Sequence, residues 1–223
     1  MKILALEFSS PQRSAAVLQA GAELAQECLS EVIQTGAQSA NALGMIADAL
    51  REARVERDQI QCLAIGLGPG SYNGIRSAIA LAQGWQLASG SRQPRLLGVS
   101  SAECLVTQAQ AEGARGRVAI VMDAQRKEFY LAGYEIDDEG RREMNPLHLA
   151  TLSEVQAMAN SGALIIGPEV SKWFTNGRVL FPRASSLGQL ALARNDFVPG
   201  EKLEPIYLRE PNFVKAPPPR NFP

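Results

Sequence analysis

Residues 61–89 read QCLAIGLGPGSYNGIRSAIALAQGWQLAS. The apolar run 61–66 has the length and composition of a strand buried on both faces. Gly68-Pro69-Gly70-Ser71-Tyr72-Asn73-Gly74 follows at once, and from residue 73 to 89 the apolar positions recur at helical spacing. Strand, glycine loop and helix in succession mark an α/β chain. Glycine lets a second backbone or a ligand approach closely, and a helix start offers free N–H donors to phosphate. Gly68, Gly70, Ser71, Gly74 and Arg76 are therefore candidates for nucleotide binding. Equally, Ser71 or Asn73 caps the helix internally and the loop is only a tight turn. No Lys-Ser or Lys-Thr follows the glycines and the GxGxxG spacing is missing, so neither a Walker A loop nor a dinucleotide fingerprint is present.

Upstream, strands are expected at 2–7, 14–19 and 23–28, the last two turning at Ala20-Gly21. A helix over 38–54 is announced by Thr35 and Gln38 as a capping box. Downstream come a short strand at 96–99 and a helix over 100–112, opened by Ser100 with Glu103. The order then recurs. Strands are read at 118–123, 128–136 and 142–149, with 124–127 as the hairpin turn and Pro146 placing the third at an edge. A helix over 151–160 capped by Thr151 and Glu154 follows, then a strand at 163–167 and a helix from Ser186 to about residue 196. Two βββαβα copies define a duplicated α/β architecture. The expected division is 1–99, 100–210 and a tail from 211, with prolines at 211, 217, 218, 219 and 223 that favour polyproline II or disorder over a sheet.

Among the 223 residues, 22 Lys and Arg face 23 Asp and Glu, giving a net charge of −1. That balance argues against a chain that grips nucleic acid alone. With 46% hydrophobic and 20% charged residues it is an ordinary folding sequence. Cys28, Cys62 and Cys104 are widely spaced, as in a reduced compartment, and form no thiolate metal motif. The start, MKILALEFSS, holds too short an apolar run for a secretion signal or membrane span, so a cytoplasmic chain is expected. His148 is the only histidine, which excludes mechanisms that need two imidazoles, and no GxSxG elbow is present.

Two helices carry more apolar surface than one sheet covers. In the first, Leu43, Ile46, Ala47 and Leu50 form a core stripe, with Ala42, Met45 and Ala49 beside it. In the second, Ile75, Ile79 and Ala82 adjoin Ala78, Leu81, Trp85 and Ala88. Either both stripes are buried within the chain, or Ala42, Met45, Ala49, Ala78, Leu81 and Trp85 meet a partner.

LALEFSS, GPGSYNGIRSAIALAQGW, LLGVSSAECL, MDAQRKEFYLAGY and EPIYLRE, in that order, resemble the TsaB (YeaZ) family. The resemblance implies a duplicated actin-like fold of the sugar-kinase and Hsp70 ATPase type. It implies a part in making N6-threonylcarbamoyladenosine on tRNA. There the chain would be a non-catalytic subunit that pairs, through the two helices above, with a TsaD-type catalytic subunit. A TsaE-type ATPase would join, tRNA would be met only through the complex, and the same surface would support a homodimer. The family hairpin motif falls on Asp123, Arg126 and Glu128, with Ala124, Gln125 and Tyr130 beside them. No cofactor or metal is expected in the isolated chain; ATP is left to the complex.

The chain departs from the family pattern at Glu7-Phe8, Gln38, Asn73 and Gln125, which weighs against nucleotide chemistry. The competing reading is a stand-alone ATPase or kinase using Glu7 and Asp123 as its acids. A peptidase is the weakest alternative.

Overall fold

The computed structural model describes residues 1–20, 26–36 and 41–209. Its elements run β1 (Lys2–Glu7), β2 (Gln12–Ala20), β3 (Gln26–Thr35), α1 (Ala42–Ala53), β4 (Cys62–Gly66), α2 (Tyr72–Ala88), β5 (Arg95–Val99) and α3 (Ser101–Ala111). The second half has β6 (Gly116–Asp123), β7 (Glu128–Ile136), β8 (Arg141–Thr151), α4 (Leu152–Asn160), β9 (Leu164–Gly167), β10 (Arg178–Val179) and α5 (Ala184–Leu192). The sheets are ordered β3-β2-β1-β4-β5 and β10-β9-β6-β7-β8. Counting strands within each half, the second order is the first reversed. In each, two antiparallel pairings precede the parallel ones. The duplication read from the sequence is thus real in topology.

Alternation along the strands builds two faces on each sheet. In the first, Leu4, Leu6, Leu63 and Ile65 join Met45, Ile46, Ile75 and Ile79 of α1 and α2. On the opposite face, Ile3, Ala5, Cys62 and Ala64 meet Ala184, Leu187 and Ala191 of α5. The second sheet is covered on one side by Ala102, Leu105, Val106 and Ala109 of α3, and on the other by Val155 of α4. When α3 is counted as the close of the first βββαβα copy, each half's last helix packs on the other half's sheet; a boundary at 99 and 100 instead gives α3 to the sheet it covers. Each fully buried Leu or Ile contributes about 1.5–3 kcal/mol, so this exchange is a principal bond between the halves.

Several local expectations change. Thr35 ends β3, paired with Gln12, and α1 starts later with Asn41 as its cap, whose Oδ1 accepts from Gly44 N at 3.0 Å. Gln38, the turn after Ala20 and the tail from residue 210 lie outside the described residues. β3 runs on to Thr35 beside β2, with Ser30 and Val32 turned towards α1 and Glu31 towards α5, a pattern its polar composition hides. Thr151 and Glu154 do form their capping box.

Ser100 caps α3, but Glu103 turns away to Arg194 (3.1 Å) and Arg141 (3.8 Å). Ser186 lies inside α5. That helix is capped instead from the first sheet, where Ser14 Oγ accepts from Ala184 N (2.8 Å) and Glu31 from Ser185 N (2.9 Å). Between β9 and β10, a single 3-10 turn (Val170–Lys172) stands where the first half has α2. Hence α5 is the counterpart of α3.

Candidate functional site: the cleft between the halves and the α1–α2 face

The turn after β1, the glycine loop and the β6–β7 hairpin enclose a cleft of about 750 Å³, with Ser9, Arg13, Ser71, Asp123, Glu169 and Tyr207 among its walls. In the glycine loop, Gly70 (φ +145°) lies so close to the turn after β1 that a Cβ would fall on the carbonyl oxygen of Ser9. A Cβ on Gly74 would fall on the carbonyl oxygen of Phe8. Ser71 N donates to Ser9 O at 2.6 Å, and Ser71 Oγ caps α2 by accepting from Gly74 N at 3.3 Å. Of the candidates here, Gly70 and Ser71 face the cleft, whereas Gly68 and Gly74 are buried beneath it. Arg76 lies over the Tyr72 ring at 5.2 Å and donates to its hydroxyl at 3.0 Å. The close approach that glycine permits is thus taken up by the chain's own backbone.

Glu7 does not face the cleft. It is fully buried, accepting from Ser9 N (2.8 Å) and Ser101 Oγ (2.9 Å), and occupies the space a Cβ on Gly66 would need. Burial pushes its carboxyl above the ordinary range, against the bonds from Ser9 and Ser101 that favour its charge. A magnesium nucleotide, as the stand-alone ATPase reading requires, needs acids exposed to the metal. Glu7 is sealed by its partners and does not fit that role. Ser101 was not singled out from the sequence, and no local signal marks a partner 94 residues away.

Asp123 ends β6 half-buried, its Oδ1 accepting from Gln125 N at 2.7 Å. Gln125, Arg126 and Lys127 all have left-handed backbones (φ 62°, 56° and 65°). Arg126 projects outward, while Glu128 pairs with Arg209. Beside Asp123, burial lifts the Glu169 carboxyl above its usual value; the Asp123 charge adds to this, while Lys172 and a hydrogen bond with the Asp123 backbone oppose it. Among the described residues, no group of three or more His, Cys, Asp or Glu could hold a metal ion. Tyr207 and Arg209, also not singled out individually, lie in EPIYLRE, the motif that could have pointed to them.

The helix stripes resolve in part against expectation. Met45, Ala49 and Ala78 are fully buried in the chain's own core, because one wide apolar face of each helix rests on the sheet. Ala42, Leu81 and Trp85 are partly buried against that core. The apolar surface left to solvent is instead Leu43 (67% exposed) and Ala47 on α1, with Ala80, Gly84, Leu87 (81%) and Ala88 on α2.

The peptidase alternative finds little to build on. His148 Nδ1 is 2.8 Å from Pro146 O on an edge strand, and burial pushes the Cys62 thiol up to about 12 and Cys104 well up. No described helix is long and apolar enough to cross a membrane.

The class follows from the duplicated sheets and the cleft between them. This is an actin-like α/β protein of the sugar-kinase and Hsp70 ATPase architecture, with the acid at the end of its first strand sealed inside. The family model described as "TsaD: tRNA N6-adenosine threonylcarbamoyltransferase" matches residues 33–205. The tRNA threonylcarbamoyladenosine biosynthesis protein TsaB of Escherichia coli is 30% identical over 184 residues, covering 75% of this chain and 78% of that one. The TsaB of Haemophilus influenzae is 26% identical, covering 97% and 98%. Among solved structures, YeaZ from Pseudomonas aeruginosa superimposes with a TM-score of 0.77 at 26% identity, over 93% of this chain and 99% of that one. Another similar structure is described as an uncharacterized protein with similarity to peptidase YEAZ from Pseudomonas aeruginosa. The chain belongs to the TsaB (YeaZ) family.

Proposed function

We propose that this chain takes part in synthesis of N6-threonylcarbamoyladenosine on tRNA as a non-catalytic subunit. It docks a TsaD-type catalytic subunit through α1 and α2 and holds that subunit in its active arrangement. The names of the TsaB relatives support the pathway. The observation that carries docking is the outward side of α2. Gly84 stands in the interior of a 17-residue helix, where glycine costs about 1 kcal/mol relative to alanine, and beyond its own helix backbone nothing among the described residues lies within 4 Å of a Cβ built there.

Flanked by exposed Ala80, Leu87 and Ala88, that position suits the close approach of a second helix. Each 100 Å² of apolar surface covered contributes about 2.5 kcal/mol before association costs. In this reading a TsaE-type ATPase joins the pair, tRNA is met through the complex, the same face supports self-association, and the complex works in the cytoplasm. The sealed Glu7 supports a subunit over a stand-alone ATPase.

The test is reconstitution of threonylcarbamoyladenosine formation on tRNA from purified subunits. Omitting this chain, or supplying it as Leu87→Glu, should abolish product. Full activity of the TsaD-type subunit without it would refute the proposal.

A further inference from the structure

We infer that residues 205–209 form a clasp that ties the two halves together across the mouth of the cleft and sets how far it opens. The segment follows Leu203, which is buried in the core of the first half. Ile206 N then donates to Leu67 O, at the entrance to the glycine loop, at 2.9 Å. The Tyr207 ring stacks on Tyr72, with centroids 5.5 Å apart and planes 21° from parallel. Arg76 braces this pair through the Tyr72 hydroxyl and ring. Two residues on, Arg209 has crossed to the second half, where it donates to the Ala124 carbonyl at 3.0 Å and pairs with Glu128. Three residues, Ile206, Tyr207 and Arg209, thus grip the glycine loop on one side and the hairpin on the other.

The clasp gives a use to motif residues that docking leaves aside. GPGSYNGIR supplies Tyr72 and Arg76, DAQRKEFY supplies Ala124 and Glu128, and EPIYLRE supplies Tyr207 and Arg209. Tyr72 and Tyr207 are each about half exposed, so their pairing is a specific surface contact and not a piece of core. Such a contact is strong enough to bias an opening motion and weak enough to release.

The test is amide hydrogen exchange on the full chain, comparing the unmodified protein with Tyr207→Ala and Arg209→Gln. Both variants should speed exchange about threefold to tenfold at 68–74 and at 124–128 together, as expected for losing one aromatic or ionic surface contact. Arg209→Gln leaves the core untouched, and so keeps the test valid if Tyr207→Ala folds poorly. Faster exchange confined to 205–209, or at one wall of the cleft only, would overturn the clasp.

Discussion

Glu7 is an acid sealed beneath the cleft, and its surroundings make a pH-dependent prediction. Its carboxyl is raised above 4.5 by burial, so the folded state holds its proton more tightly than the unfolded chain. Stability contributed at this site is present in acid and is lost as pH rises from about 4.5 through the raised value. Glu7→Gln keeps the volume and an acceptor for Ser9 N. It should match the parent protein near pH 4 and exceed it at pH 8 in urea unfolding. Glu7→Ala leaves the Ser9 amide and Ser101 hydroxyl unpaired in a cavity and should lose about 2–4 kcal/mol. A Gln variant less stable than the parent at pH 8 would show that the buried charge is held favourably. The acidic residue itself was legible in LALEFSS. Its direction was not, because it depends on Ser101 on a helix far along the chain and on the absent side chain of Gly66.

Within α2, two glycines of opposite consequence separate what the chain uses from what it leaves open. Gly74→Ala drives a Cβ into the Phe8 carbonyl and should cost about 1–3 kcal/mol. Gly84→Ala meets nothing and should stabilise the lone chain by up to about 1 kcal/mol. Thermal unfolding of the two variants checks both signs; equal effects would contradict the geometry. At this scale the sequence carried much of the structure. Apolar runs located β1, β4, β6 and β9, and Thr151–Glu154 opened α4 as read. Which of two adjoining stripes meets the sheet was not legible, since Met45 and Ile46, like Ala78 and Ile79, are about 100° apart and a wide buried face takes in both. The cap of α5 was illegible for another reason: its acceptors, Ser14 and Glu31, belong to the other half.

For the molecule as a whole, the exchange of α3 and α5 makes each half depend on the other. One face of the first sheet, with Ile3, Ala5, Cys62 and Leu97, is closed by α5. The full chain should therefore melt in one calorimetric transition, with its van't Hoff and calorimetric enthalpies in agreement. Residues 1–99 expressed alone should expose that face and aggregate. Two resolved transitions, or a soluble, folded 1–99 fragment, would contradict this. The recurring order of strands made the duplication visible in the sequence, whereas the swap of terminal helices leaves no local trace. The central claim is that the chain acts by docking through α1 and α2, and titration calorimetry with a purified TsaD-type subunit tests it most directly. The parent protein should bind with a negative heat-capacity change. Gly84→Arg should melt no lower than the parent, since the site is open and arginine is a better helix former than glycine, while binding about a hundredfold more weakly; undiminished binding by that variant would contradict the account.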